Sequence, residues 1–120
     1  MDWLARMNRA MDYIEMNLTE EIEVDKVAQK ACCSSHQFLR MFSYITNVTL
    51  TEYIRRRRLT LAAIDLQNNK AKVIDIAFKY GYESPVIFVR AFQLMHGVTP
   101  AKVRQEVIEL KAYPRLSFHN

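Results

Sequence analysis

Residues 27–42 read Val27-Ala28-Gln29-Lys30-Ala31-Cys32-Cys33-Ser34-Ser35-His36-Gln37-Phe38-Leu39-Arg40-Met41-Phe42, and residues 76–92 read Ile76-Ala77-Phe78-Lys79-Tyr80-Gly81-Tyr82-Glu83-Ser84-Pro85-Val86-Ile87-Phe88-Val89-Arg90-Ala91-Phe92. The second stretch repeats the first. Val27-Ala28 and Lys30 return as Ile76-Ala77 and Lys79 at an offset of 49. One inserted residue later, Ser34, Phe38, Arg40, Phe42, Val48 and Thr49 return as Ser84, Phe88, Arg90, Phe92, Val98 and Thr99. Each copy is a short helix, a tight turn, a capped longer helix and another turn, which is the layout of a helix-turn-helix. The period is not that of a stacking solenoid.

The rest of the 120 residues falls into helices around these copies. Only two glycines and three prolines interrupt a chain that is 50% hydrophobic, which favours helices over a many-turned β fold. Residues 2–17 place Leu4, Met7, Met11 and Ile14 on one stripe. Val24, Val27, Ala28 and Ala31 mark a second, short helix. Ser34 with Gln37 has capping-box spacing and opens a third, burying Phe38, Met41, Phe42 and Ile45, with Asn47 suited to its left-handed end. Thr49 with Glu52 opens a long helix through Leu50, Tyr53, Ile54, Leu61 and Ile64 to about Gln67. Val73, Ile76, Ala77 and Tyr80 form a short helix stopped by Gly81. Ser84-Pro85 and Thr99-Pro100 each read as N-cap then first helical residue, opening one helix that ends at Gly97 and another through Val103, Val107 and Leu110. The predicted fold class is all-α: seven helices in two tandem helix-turn-helix subdomains joined by a long linker helix. The boundaries are 1–48, 49–67 for the linker, 68–111, and a tail at 112–120.

Charge is unevenly distributed. Residues 1–33 hold seven acids and four bases, a net of −3, and residues 34–120 hold thirteen bases and six acids, a net of +7. This suits a polyanionic partner, and equally an ordinary solubilising surface. No apolar run approaches the ~20 residues of a membrane span, and the start of the chain lacks a signal peptide. The expectation is a cytoplasmic protein with no membrane partner, in which Cys32-Cys33 stays reduced. Cys32 and His36 are four apart, but no third or fourth metal ligand accompanies them. No Gly-rich phosphate loop or nucleophile signature is present. No catalytic residues, metal or cofactors are expected, and no enzyme.

Helical geometry assigns roles within each copy. Phe38 and Phe42 share a face, as do Phe88 and Phe92. Arg40 and Arg90 stand roughly 200° from their phenylalanines, pointing outward from matching positions. An outward arginine on a recognition helix suits bidentate contact with guanine in the major groove. His36, Leu39 and Ser43 flank Arg40, and Val86, Val89 and Gln93 flank Arg90. Val86 and Val89 either meet thymine methyls or lean into the core. The capped helix starts at Ser34 and Ser84 offer N–H groups and hydroxyls to phosphates, with Ser35, Gln37, Ser43 and Gln93 as further backbone candidates. Arg55-Arg56-Arg57-Arg58 occupies all sides of the long helix, so it cannot face one groove. Arg57, in line with Ile54 and Leu61, is expected to make an internal ion pair.

These residues resemble the AraC-type (AraC/XylS) family of bacterial transcription regulators. The second copy carries Ile76 to Ser84 of the family signature, then Phe88, Arg90, Phe92, Gly97, Thr99-Pro100 and Arg104. The first carries Val27-Ala28, Ser34, Phe38, Arg40-Met41-Phe42 and Tyr53-Ile54-Arg55. The resemblance implies base reading by His36, Leu39, Arg40, Pro85, Val86, Val89 and Arg90, with double-stranded DNA and RNA polymerase as partners. Cys32 departs from the family's usual turn glycine, and Leu39, Pro85 and Val86 replace polar residues. Residues 112–118 leave the helical pattern and alternate like the start of a strand. This resembles the subgroup whose N-terminal DNA-binding domain precedes a ligand-sensing domain, with a short ordered tail on a self-sufficient regulator as the alternative, so a small-molecule inducer is expected only with such a domain. The expected function is sequence-specific duplex DNA binding that regulates transcription, as an activator. A helical protein-interaction module with a basic face is the alternative. A linker of about 28 Å would let one monomer reach two major-groove segments near the ~34 Å of a duplex turn.

Overall fold

The computed structural model describes residues 2–106, 110 and 112–119. Among these the chain forms seven helices and no strand: α1 Trp3–Met16, α2 Val24–Lys30, α3 Ser35–Thr46, α4 Leu50–Asn68, α5 Val73–Lys79, α6 Pro85–His96 and α7 Pro100–Gln105. Two compact units result. One comprises residues 1–55 and 114–120, the other residues 56–113, so α4 gives its first turns to one unit and the remainder to the other.

The helix starts are held as their caps dictate. In α3 the Ser34 side chain accepts from the Gln37 N–H while the Gln37 amide accepts from the Ser34 N–H, a complete capping box. Thr49, Ser84 and Thr99 accept from the N–H groups of Glu52, Ile87 and Lys102, and Pro85 and Pro100 stand in the first helical turn. Asn47 and Gly97 end α3 and α6 in the left-handed region, at φ 60° and 77°. The turns before α3 and α6 match as well. The Cys33 N–H donates to the Ala28 carbonyl at 3.1 Å, and the Tyr82 N–H donates to the Ala77 carbonyl at 3.0 Å.

In the first unit α1 packs on α2, and Met7, Ala10, Met11 and Ile14 are essentially inaccessible, as are Val27, Ala28, Phe38 and Phe42. In the second unit, Leu59, Ala62, Ala63 and Leu66 of α4 take the same role against Ile76, Ala77, Phe88 and Phe92. The repeat therefore extends backward at an offset of 52: Met7, Ala10, Met11 and Ile14 match Leu59, Ala62, Ala63 and Leu66.

Some apolar positions turn out differently from the pattern. Ile64 is 41% exposed and Leu61 only partly buried, because the α4 seam runs through two alanines that admit close packing. Ile45 is 47% exposed, and Leu4 and Met41 are half-buried. Helix α7 ends at Gln105, short of the expected Leu110, which packs on the second core outside any helix; Val107 lies outside the described residues. Arg104 donates to the Leu66 and Asn69 carbonyls at the end of α4, where a cation is favoured. Residues 112–119 have no regular secondary structure, yet they are pinned. The Asn8 amide bonds both backbone groups of Phe118, Arg115 pairs with Asp12 at 2.7 Å, and the Phe118 ring meets Trp3 edge-on at 5.7 Å.

Candidate nucleic-acid interface

Helices α3 and α6 divide their residues by face. Phe38 and Phe42 stack at 6.0 Å with no exposure, and Phe42 touches the Tyr53 ring at 5.7 Å. Phe88 and Phe92 lie 5.7 Å apart, equally buried, with Tyr82 against Phe88 at 5.3 Å. Rings so packed fix the rotation of each helix, and the opposite face must look outward.

That face carries Arg40 and Arg90, both exposed and neither paired with a carboxylate among the described residues. In the first unit His36 and Leu39 are exposed beside Arg40, and Ser43 is half-buried. With Arg40 they line an open groove of about 1000 Å³ whose other wall is the start of α1. In the second unit Pro85, Val86, Val89, Arg90 and Gln93 line a single hollow of about 420 Å³. Val86 is 65% exposed, whereas Val89 is half-buried and leans on the second core.

The polar residues at the helix starts are already engaged. The Ser35 hydroxyl donates to Asp25 of α2. Ser34, Gln37 and Ser84 serve as caps, so their hydrogen bonds orient the first turns. The four consecutive arginines diverge as a helix requires. Arg55 grips Glu52 through two nitrogens, Arg56 lies over the Tyr113 ring at 4.7 Å, and Arg57 is buried and donates to the Tyr113 carbonyl. Arg58 is half-buried next to Gly81 and Tyr82, and burial lowers its pKa. An interaction of Arg57 with a backbone carbonyl was not legible from spacing, since its partner lies 56 residues away.

Two outward residues escaped the sequence reading. Tyr44 is 90% exposed and Leu94 is 78% exposed, each one turn after its arginine, and they match at the repeat offset of 50. The signal was available in that offset, which places an apolar residue one turn after each outward arginine. Elsewhere in the second unit, Asp65 accepts from Lys79 and from the Tyr80 hydroxyl; burial first, and then this bond to a carboxylate, raise the tyrosine pKa well above its ordinary value. The described residues hold no cluster of three metal-ligating side chains, and none of their helices is long and apolar enough to cross a membrane.

Two such helix pairs, each presenting an outward arginine from its second helix, define a helix-turn-helix DNA-binding module. Residues 27–106 match the family model described as "Helix-turn-helix domain". The chain is 39% identical over 92 residues to the HTH-type transcriptional activator AarP of Providencia stuartii, covering 77% of this chain and 68% of that protein. A transcriptional regulator of Chromobacterium violaceum, described as an AraC-type DNA-binding domain protein, has the same fold at a TM-score of 0.78 and 23% identity, over 83% of this chain and 89% of that one. The DNA-binding domain of AdpA, solved with a target DNA, superposes at a TM-score of 0.70 with 26% identity, over 88% of this chain and 92% of that one. The chain belongs to the AraC-type helix-turn-helix family of bacterial transcription regulators. It is a DNA-binding regulator of transcription and not an enzyme.

Proposed function

We propose that each unit places its recognition helix in a major groove of duplex DNA and that one chain reads an asymmetric site with two such segments. Arg40 takes a guanine edge, with His36 and Leu39 beside it; Arg90 does the same in the second unit, with Val86 and Val89 toward thymine methyls and Pro85 setting the helix start. Ser34, Ser35, Gln37 and Ser43 in the first unit, and Ser84 and Gln93 in the second, hold the backbone. The observation that carries this reading is the pair Arg40 and Arg90: matching positions, both exposed, both free of a carboxylate partner. A structural surface arginine has no reason to recur unpaired at the same point of both copies.

The regulator acts in the cytoplasm as an activator that engages RNA polymerase at the promoter. In the subgroup the sequence resembles, a segment such as 112–119 leads into a ligand-sensing domain, and a small-molecule inducer enters the reading only with such a domain.

Selection of binding sites from random duplex DNA tests the reading. A two-segment consensus is expected, bound at least about a thousandfold more tightly than random duplex, with affinity falling steeply as salt rises. Inserting five base pairs between the segments should abolish the gain from the second. Salt-dependent binding without any enriched sequence would refute base reading, and no binding to duplex would refute the function.

A further inference from the structure

We propose that Arg6, on α1 and outside both recognition helices, is a DNA-backbone contact that seats a phosphate flanking the major groove read by α3. Arg6 shares the wall of the open groove that His36, Leu39 and Arg40 line from the other side. None of the residues lining that groove is acidic. The Arg6 Nε is buried with no hydrogen-bond partner, and its guanidinium has no ion pair among the described residues. That nitrogen has surrendered hydration without gaining an acceptor, which is costly and uncommon in a native fold, and the rest of the half-buried guanidinium carries a charge that no carboxylate among the described residues balances. A phosphate oxygen supplies the acceptor and the charge together, in the fork geometry arginine favours.

Position within the repeat strengthens the assignment. The offset of 52 that pairs Met7 with Leu59 also pairs Arg6 with Arg58. Arg6 lies close enough to Cys33, in the first turn, to act on its thiol, and Arg58 comes within 4.0 Å of the space beside Gly81 in the second. Each unit thus carries a cation behind the turn that leads into its recognition helix. Phosphates run along both rims of a major groove, and a cation beside the helix that enters it meets one of them. The groove is continuous with the base-reading face, so its occupant is the same duplex and not a separate small anion.

This inference rests on the proposed DNA reading, and the two fail differently. On a duplex selected by the wild-type chain, Arg6→Gln should bind about tenfold more weakly at every matched and mismatched site, with the log–log salt slope shallower by about 0.9. Single methylphosphonate replacements along that duplex should reveal one phosphate whose neutralisation weakens the wild type and leaves Arg6→Gln unchanged. Trp3, the single tryptophan, lies in the same groove and should change its fluorescence when the duplex binds. If Arg6→Gln melts below the assay temperature, Arg6→Lys, which keeps the charge and loses the fork, must alter the contribution of that same phosphate. An unchanged slope and an unchanged methylphosphonate profile in a folded variant would overturn the assignment. A loss confined to one base pair would do so too, by making Arg6 a base reader. If the wild type binds no duplex at all, the functional reading has failed before any substitution is made.

Discussion

Cys32 and Gly81 occupy the same point of the repeat and share a left-handed backbone, at φ 57° and 87°. Both follow a short helix and precede the capped start of a recognition helix. The first copy therefore holds a side chain where the backbone favours none, and the second does not. Left-handed residues other than glycine cost about 1–2 kcal/mol, while glycine adds about 0.5–1 kcal/mol of unfolded-chain entropy. Cys32→Gly should therefore stabilise the chain by up to about 1 kcal/mol, and Gly81→Ala should destabilise it by about 1 kcal/mol or more. An added Cβ at Gly81 would meet only the Arg58 Nη1 at 4.0 Å, so the cost there is backbone strain and not a clash. Chemical denaturation of the two variants checks the sign of each; a stabilising Gly81→Ala would show that the turn is not left-handed in solution.

Phe42 and Phe92 probe packing in their own units. Both rings are fully buried beside a second phenylalanine. Truncation to alanine removes buried apolar surface and leaves a cavity, so each should cost about 3–5 kcal/mol. Thermal melts should show a large loss for either variant. Melting at the wild-type temperature would mean the ring faces solvent, which would reverse the face assignment of its helix.

Residues close in sequence announced most of this architecture. Ser34 with Gln37, and proline after Ser84 and Thr99, are local signals whose chemistry acts within one turn, so helix starts were legible. The Phe38–Phe42 and Phe88–Phe92 pairs set the outward direction of Arg40 and Arg90 for the same reason. The seam of α4 was harder to phase, because Leu59, Leu61, Ala62, Ala63, Ile64 and Leu66 offer apolar atoms on several sides. Packing distance selected the side with two alanines, and Ile64 was left in solvent. The docking of the tail had no local signal. Asn8 and Phe118 lie 110 residues apart, and nothing in either segment names the other. Tyr44 and Leu94 had only the repeat offset to mark them, since an exposed large apolar residue breaks the helical stripe and matches no local motif.

His96 gives a pH dependence whose sign is set by its surroundings. Its ring lies 4.4 Å from Phe92 and its Nε2 meets the Leu59 carbonyl at 3.1 Å, while Nδ1 is buried without a partner. Burial lowers its pKa below the ordinary 6.5, outweighing the carbonyl bond that raises it. The folded state thus holds the neutral ring. Below pH 6.5 the unfolded chain binds more protons than the folded one, so stability falls as pH drops toward the folded pKa and is fully present above the unfolded value. Melting temperature should decline between neutral and mildly acidic pH, and His96→Gln should flatten that part of the profile. Identical slopes for wild type and variant would remove His96 as the cause.

Arg40 and Arg90 allow the two units to be compared on one site. Both arginines are exposed at matching positions, yet their neighbours differ: His36 and Leu39 flank the first, Val86 and Val89 the second. Arginine bound in bidentate fashion to guanine carries about 1–3 kcal/mol of discrimination at one base pair. Arg40→Ala should therefore weaken specific binding by that amount and relax preference at a single position of the first segment. Arg90→Ala should do the same in the second segment. On the proposed reading the valines make no hydrogen bond to a base and hydrogen-bonded readout in the second segment falls to Arg90, so its loss should leave only a weak thymine preference. Titration of each variant against matched and singly mismatched duplexes separates the outcomes. A uniform loss over all sequences would make that arginine a phosphate contact. No loss for Arg90→Ala, with full loss for Arg40→Ala, would show that the first unit alone reads sequence.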